Sequence, residues 1–200
     1  MNSNHHCCRR RVATQTSGFF AVLFAATGAW ADPVPVSFLP VVAHELSGSE
    51  PRNAAVADFN DDAFPDIAVA CSALASEVTI LFGDGAGGFF DNQVIDVGIA
   101  AWGIAAADFD GDGAVDLAVS DGAHDGTAVQ IYLGNGGGRF AQAGTATAGK
   151  FPVALAVADF NGDHIADLAS ANNVLFGVSI LIGHGDGTFA PPPTLRVRRE

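Results

Sequence analysis

The pattern that decides the fold occurs three times: AVADFNDDAFPDIAVA from Ala55, AAADFDGDGAVDLAVS from Ala105 and AVADFNGDHIADLASA from Ala156. Each copy is followed by a second signature, which reads VTILFGDGAGGF, VQIYLGNGGGRF or VSILIGHGDGTF. The first aspartates of successive copies are 50 and 51 residues apart. A repeat of that length with strand-like content is typical of β-propeller blades or β-solenoid coils rather than of helical repeats.

The first repeat predicts four β-strands, at residues 53–58, 66–72, 77–82 and 89–97. A tight polar loop separates the first two strands, and a glycine-rich turn that requires positive φ angles separates the last two. Small alanines fill the first strands, as crowding near a propeller axis requires, and no segment has the 3.6-residue apolar period of a helix. The sequence therefore predicts an all-β fold of four-stranded, β-propeller-type blades, with about three repeats.

The two ends of the repeat region predict strands without complete blades. Residues 36–46 have the pattern of a fourth strand with no blade before it, and Phe189 is expected to begin a fourth strand that runs through the prolines at 191–193. Because propellers typically need four to eight blades, three blades cannot close a ring. The sequence leaves three alternatives open: an open arc, a fragment, or a subunit of an oligomer or larger parent protein that completes the propeller.

A nine-residue acidic loop, Asp-x-Asx-x-Asp-x-x-x-Asp, separates the first two strands of each repeat, at residues 58–66, 108–116 and 159–167. Turn-forming Asp, Asn and Gly are common for local reasons, but carboxylates packed this closely repel one another unless a cation neutralises them. Side-chain oxygens at positions 1, 3, 5 and 9, with the carbonyl of position 7, suit Ca²⁺, which takes six to eight oxygen ligands. The candidate calcium ligands are Asp58, Asn60, Asp62, Asp66, Asp108, Asp110, Asp112, Asp116, Asp159, Asn161, Asp163 and Asp167.

Other metal sites fit these loops less well. No Cys or His recurs at a ligand position, which disfavours zinc and copper, and magnesium prefers stricter octahedral geometry with fewer protein ligands. An EF-hand would need flanking helices and a Glu at position 12, where this chain has Val69, Val119 and Ser170 in strand-like runs. Calcium is therefore the predicted ion.

The alternation of DFDGDGAVDLAVS with IYLGNGGGRF resembles the FG-GAP repeat, also called the VCBS repeat, of integrin α-subunit propellers and many exported bacterial proteins. The resemblance covers about residues 36–189, and it implies that the loop joins the first and second strands of a blade and holds calcium. Asp61, Ala63 and His164 depart from the family pattern, which usually has glycine there. Because the second loop keeps both glycines and has four aspartates, we expect it to bind calcium most tightly.

The N-terminus, residues 1–31, predicts an export signal. Three arginines at 9–11 precede an apolar run from Phe19 to about residue 26, and Ala29-Trp30-Ala31 has the pattern of a signal-peptidase site. The apolar run is shorter than the roughly 20 residues that span a bilayer. Cleavage after Ala31 would leave residues 32–200, the repeat domain, as a secreted protein, either extracellular or periplasmic.

The charge of residues 32–200 excludes two classes of partner. This part of the chain has six basic and 22 acidic residues, a net charge of −16. Nucleic acids and anionic membranes both present negative phosphates, so neither is an expected partner. Cys71 is alone in this part of the chain, so an internal disulfide is excluded and a bound metal would be an alternative staple.

The sequence offers few catalytic groups. His124 lies between Asp121 and Asp125, but the other repeats have no histidine there, and no nucleophile elbow, phosphate loop or zinc motif occurs. Whether the protein is an enzyme is left undecided, with a non-enzymatic role favoured over catalysis. The alternative function is the propeller portion of an extracellular glycan-acting hydrolase or lyase.

The preferred function is a secreted calcium-binding repeat module for binding, adhesion or scaffolding, with an extracellular protein or a carbohydrate as partner. The interblade loops at residues 98–102, 121–127 and 144–151 would present the binding surface, because loops on a rigid scaffold commonly carry binding residues. Trp102 would either anchor the partner or pack in the core, since a large aromatic residue serves both roles.

Overall fold

The structure is a computed structural model, and it describes residues 43–44, 46, 50–72, 76–174, 177–191 and 194–196. All of these residues belong to one compact unit, Val42–Glu200. The predicted export signal at 1–31 lies outside the described residues, and the strand predicted at 36–46 lies almost entirely outside them.

Within these ranges the chain forms twelve β-strands and no helix. The strands are β1 (Pro51–Ala57), β2 (Asp66–Cys71), β3 (Glu77–Gly83), β4 (Phe89–Asp96), β5 (Ala101–Ala107), β6 (Asp116–Asp121), β7 (Ala128–Gly134), β8 (Phe140–Thr147), β9 (Pro152–Ala158), β10 (Asp167–Asn172), β11 (Gly177–Leu181) and β12 (Thr194–Arg196). They form three four-stranded sheets, which we call blade 1 (β1–β4), blade 2 (β5–β8) and blade 3 (β9–β12). The predicted all-β fold with four-stranded blades is confirmed.

Every blade is an antiparallel meander in which each strand pairs with its neighbour along the chain. In blade 1 the strand boundaries lie within two residues of those predicted from the alternation of strand and turn signals. No helix in the described part of the chain is long and apolar enough to cross a membrane.

The last strand of blade 3 differs from the prediction. Phe189 forms only an isolated bridge with Gly183, and the strand that pairs with β11 is β12, which begins at Thr194. Pro191 lies in no strand, and proline lacks the N–H group that a ladder requires, so the expectation that the fourth strand begins at Phe189 was wrong.

Small residues let the inner strands of neighbouring blades approach closely. In all three blades an alanine of the first strand lies opposite an alanine of the second: Ala55 and Ala68, Ala105 and Ala118, Ala156 and Ala169. A Cβ added to Gly103 would lie 2.7 Å from Ser120 Oγ and 3.0 Å from the Cα of Ala154 in blade 3. The Ser120 hydroxyl accepts a hydrogen bond from Gly103 N and donates one to the Pro152 carbonyl, which fastens blade 2 to blade 3.

The hydrophobic core consists of two layers, one between each pair of adjacent blades. Bulky residues of the third strands point into these layers, because side chains alternate between the two faces of a strand. The layer between blades 1 and 2 contains Phe59, Val78, Ile80, Ile104, Leu117, Val119 and Tyr132 among its buried residues. The layer between blades 2 and 3 contains Phe109, Val129, Ile131, Leu168 and Leu181.

A phenylalanine at position 2 of the acidic loop joins each blade to the next. The ring of Phe59 packs edge-to-face on Phe140 with 5.8 Å between centroids, and Phe109 packs in the same way on Phe189 at 5.5 Å. The backbone repeats the contact, because Gly138 N donates to the Phe59 carbonyl and Gly187 N donates to the Phe109 carbonyl, both at 3.0 Å. The loop of one blade therefore anchors the glycine-rich turn of the following blade.

Truncating this anchor is expected to destabilise the fold. Phe109 is 1% exposed, so Phe109→Ala should lower the free energy of unfolding by about 3–5 kcal/mol through lost burial and a residual cavity. Phe90→Ala, at a phenylalanine that is 53% exposed, should cost less than about 1 kcal/mol. Urea denaturation of both variants provides the comparison, and equal losses would contradict the anchoring role.

Candidate metal centres

The acidic loops connect the first and second strands of the three blades, as the sequence predicted. They run between β1 and β2, β5 and β6, and β9 and β10. In each loop the position-1 aspartate accepts a hydrogen bond from the N–H of position 6, which curls the chain back on itself. These bonds join Asp58 to Ala63 at 2.8 Å, Asp108 to Gly113 at 2.9 Å and Asp159 to His164 at 2.9 Å.

The position-9 aspartate closes the loop with both carboxylate oxygens. In blade 1, Asp66 Oδ2 accepts from Phe59 N and Oδ1 accepts from Gly83 N, both at 2.8 Å. The same two bonds hold Asp116 to Phe109 and Gly134, and Asp167 to Phe160 and Gly183. All three aspartates are fully buried. We call this arrangement the aspartate clamp.

The glycine that completes the clamp has a second role. A Cβ at Gly83, Gly134 or Gly183 would overlap with the carbonyl oxygen of loop position 8 in its own blade. Only glycine therefore allows the end of β3, or its counterpart, to approach the loop closely enough for its N–H to reach the carboxylate. The sequence predicted the aspartates as ligands but missed this structural role.

Three carboxylates of the second loop form a cluster. One oxygen from each of Asp108, Asp110 and Asp116 lies within 4.8 Å of the others, and no other such group of acidic, His or Cys side chains occurs in the described ranges. Asp112 is outside the cluster, and its Oδ1 accepts a hydrogen bond from Ala114 N at 2.8 Å. Oxygens from several hard ligands at this spacing match the donor set that Ca²⁺ prefers.

The first and third loops have an amide where the second has a carboxylate. The side-chain N–H of Asn60 donates to Asp62 at 2.9 Å, and that of Asn161 donates to Asp163 at 2.7 Å. The Oδ1 of each asparagine points back to the loop, where it accepts from the backbone N–H of the same aspartate. In the first and third loops the asparagine therefore provides a neutral oxygen at position 3, where Asp110 provides a negatively charged one.

The model for the FG-GAP-like repeat matches residues 58–119 and 117–170. The chain belongs to the FG-GAP-like repeat family. No curated protein matches the chain. Among solved structures, a chain of the Photorhabdus luminescens Tc holotoxin pore is similar, with 21% sequence identity and a TM-score of 0.42. The match covers 72% of this chain and 7% of that one, so the present chain spans only a small part of its length.

The pKa of one carboxylate in the second FG-GAP loop is raised. Burial raises the pKa of Asp116, and the neighbouring Asp110 and Asp108 raise it further, although hydrogen bonds from Phe109 and Gly134 oppose the shift. By contrast, backbone N–H groups of His164 and Gly162 lower the pKa of the exposed Asp159. A cation among the three carboxylates of the second loop would offset the cost of keeping Asp116 ionised.

Two positions of each FG-GAP loop require a left-handed backbone. Gly111 and Gly113 have φ of 79° and 92° in the second loop. The departures from the family pattern adopt the same conformation despite their side chains: Asp61 has φ 59°, Ala63 68° and His164 68°. Such a backbone is costly for a residue with a Cβ, so the first and third loops carry backbone strain at these positions.

Glycine at position 6 of the first loop is expected to relieve this strain. Ala63→Gly should raise the free energy of unfolding by up to about 1 kcal/mol, since glycine loses the left-handed penalty but gains unfolded-state entropy. Gly113→Ala should lower it by about 1–2 kcal/mol. Chemical denaturation with Ala86→Gly as control tests this, because Ala86 lies in an exposed turn without positive φ and should be destabilised instead.

The aspartate clamp is expected to matter even without metal. Asp66→Asn replaces one acceptor oxygen by an NH₂ that faces a backbone N–H, and should lower the free energy of unfolding by about 1–3 kcal/mol. Asp125→Asn, at a side chain that is 80% exposed, should change it by less than about 0.5 kcal/mol. Denaturation in excess chelator isolates the clamp, and an unchanged Asp66→Asn protein would refute it.

Two residues singled out for other roles are accounted for by local contacts. The side chain of His124 is 80% exposed, with Nδ1 3.7 Å from a carboxylate oxygen of Asp125. The Trp102 indole packs against Phe151 at 5.0 Å, lies over the Cα of Gly122, and has the Arg52 guanidinium 4.7 Å from its centroid. These contacts favour packing between blades over partner binding as the role of Trp102.

Proposed function

We propose that this FG-GAP-like repeat protein is an exported, non-enzymatic binding or scaffold module whose blades are stiffened by calcium. The observation that carries the proposal is the convergence of Asp108, Asp110 and Asp116 within 4.8 Å in a loop closed on itself. Three ionised carboxylates at that spacing repel one another, and a cation among them would relieve the repulsion.

Each loop would hold one ion with the side chains at positions 1, 3, 5 and 9 and the carbonyl of position 7. The clamp is compatible with this role, because each carboxylate oxygen has a second lone pair after accepting one N–H. In the second loop, Asp112 would have to turn from Ala114 N toward the ion, a change confined to one exposed side chain.

Calcium bound in this way would tie the start of the loop to the start of the second strand. The loop also carries the phenylalanine that anchors the next blade, so an ion would strengthen the contact between blades as well as each hairpin. Cys71 is buried and forms no disulfide. Bound metal would therefore provide the cross-link that a disulfide provides in other exported proteins.

The partner of such a module is proposed from its chemistry. Residues 32–200 have a net charge of −16, which favours an extracellular protein or carbohydrate over nucleic acid. The interblade loops at residues 98–102, 121–127 and 144–151 are the proposed binding surface. Residues 1–31 are the proposed export signal, with an extracellular or periplasmic destination. An oligomer or a larger parent protein would complete the propeller.

Calcium should stabilise the folded protein by binding the loops far better than the unfolded chain. The midpoint of thermal unfolding should be higher in calcium than in chelator. Each site should add about 2.7 kcal/mol to the free energy of unfolding when free calcium is 100 times the Kd of that site. Isothermal titration should detect the same sites directly. Identical melts together with no measurable uptake of calcium would refute the proposal.

The second loop should account for the tightest binding. Asp110→Ala removes one carboxylate of the cluster and should abolish the highest-affinity calcium site. Asp125→Ala, at an exposed carboxylate outside the three acidic loops, should leave all calcium sites intact. An unchanged binding isotherm for Asp110→Ala would contradict the assignment of this site.

A further inference from the structure

The face of blade 3 that points away from blade 2 is built like a blade interface but is incompletely covered. In blades 1 and 2 the equivalent apolar positions of the third strand are Val78, Ile80, Val129 and Ile131, and none is more than 1% exposed. Their counterparts in blade 3, Val178 and Ile180, are partly exposed. Ala156, Ala158 and Ala171 on the same face are exposed. We call this surface the knob face.

Phe160 is the feature that projects from the knob face. Phe59 and Phe109, at the same loop position in the other blades, are each 1% exposed and pack on an aromatic ring of the next blade. Phe160 is 48% exposed, and in the described part of the chain no aromatic ring packs against it. Among the same residues, no backbone N–H donates to its carbonyl, unlike those of Phe59 and Phe109.

The face of blade 1 that points away from blade 2 carries a complementary cavity. A cavity of about 130 Å³ lies on blade 1, lined by Pro65, Gly83, Gly85, Gly87, Gly88 and Phe89. These positions correspond, residue for residue, to the segment of blade 2 that receives Phe59, where Phe140 supplies the ring and Gly138 the N–H donor. We call this surface the socket face.

Other residues of the socket face agree with this correspondence. A Cβ at Gly138 would lie 2.7 Å from the Phe82 ring of the preceding blade, whereas a Cβ at Gly87 would meet nothing within 4 Å. Val56 is 64% exposed, although its counterpart Val157 packs against the core between blades 2 and 3. His44 packs on the ring of Phe89 at 5.1 Å but is not among the described residues that line the cavity.

We infer that the knob face of one chain docks on the socket face of a second copy. Phe160 enters the cavity and packs on Phe89 of the second copy, while Gly87 N of that copy donates to the Phe160 carbonyl. The contact repeats the one that already joins blade 1 to blade 2 and blade 2 to blade 3. The inference rests on the proposed role as a propeller module, but it does not depend on calcium.

The expected assembly is a ring of two chains. A head-to-tail contact either closes into a ring or grows into a filament, depending on the rotation it imposes. Two copies of the three described blades give six blades, within the four to eight that propellers typically use, whereas three copies would give nine. Both knobs and both sockets are then filled.

Sedimentation velocity and light scattering of the purified protein test the inference. We expect a two-chain species whose dissociation constant rises roughly tenfold or more for Phe160→Ser and for Phe89→Ser, because each removes a buried aromatic anchor. Phe90→Ser is the matched control. Phe90 is exposed to a similar degree, at 53%, but it lies opposite Phe82, on the side of blade 1 that faces blade 2. Far-UV circular dichroism and melts confirm that each variant is folded.

Mixing the two variants tests whether the two phenylalanines are partners. An equimolar mixture of Phe160→Ser and Phe89→Ser chains retains one intact knob and one intact socket, so it should form more two-chain species than either variant alone. A mixture no better than the separate variants would overturn the pairing.

Three results would overturn the inference as a whole. They are a wild-type protein that is monomeric at about 100 μM, a dimer that Phe160→Ser does not weaken, and a filament or larger ring. A monomer in which Phe160 is protected from solvent would assign the knob face to a part of the same chain outside the described residues instead. The proposed calcium function is judged separately, because a monomer that is stabilised by calcium refutes only the assembly.

Discussion

A fully buried carboxylate is the constraint on which each blade depends. Asp66, Asp116 and Asp167 would be costly to bury alone, but each accepts a backbone N–H on both oxygens, which offsets the loss of water. One N–H comes from the start of the acidic loop and the other from the end of the third strand. The aspartate clamp therefore sets the shape of the loop and the approach of the two hairpins at the same time.

The clamp also determines how neighbouring blades meet. Its first donor is the N–H of the loop phenylalanine, so the carboxylate fixes the backbone of the residue whose ring reaches the next blade. Its second donor is a glycine that stands against a backbone carbonyl, which explains why that position tolerates no side chain. The acidic loop, the end of the third strand and the contact between blades therefore all depend on the clamp carboxylate and its two backbone donors. The dipoles of these two N–H groups partly balance the negative charge of the carboxylate.

Much of this arrangement was predictable from the sequence, because it repeats. The periodic Asp-Phe-Asx pattern predicted the loops between the first two strands, and the resemblance to the family marked Ala63 and His164 as departures at positions where the structure has positive φ angles. The clamp was not predicted, since its second donor lies 16–18 residues from the aspartate and only folding brings it near. A signal was nevertheless present: the donor glycines Gly83, Gly134 and Gly183 occupy the same place in the second signature of every repeat, which recurs together with the acidic loop.

The antiparallel meander has a consequence for how the chain folds. Every strand pairs with its neighbour in sequence, and the main contacts between blades in the described part of the chain join blade 1 to blade 2 and blade 2 to blade 3. The turns that join paired strands are short, so the loop-closure entropy of a single hairpin is small, which favours its early formation. Stability in such a nearest-neighbour array is close to a sum of blade and junction terms, so unfolding should fray from whichever end has the weaker junction.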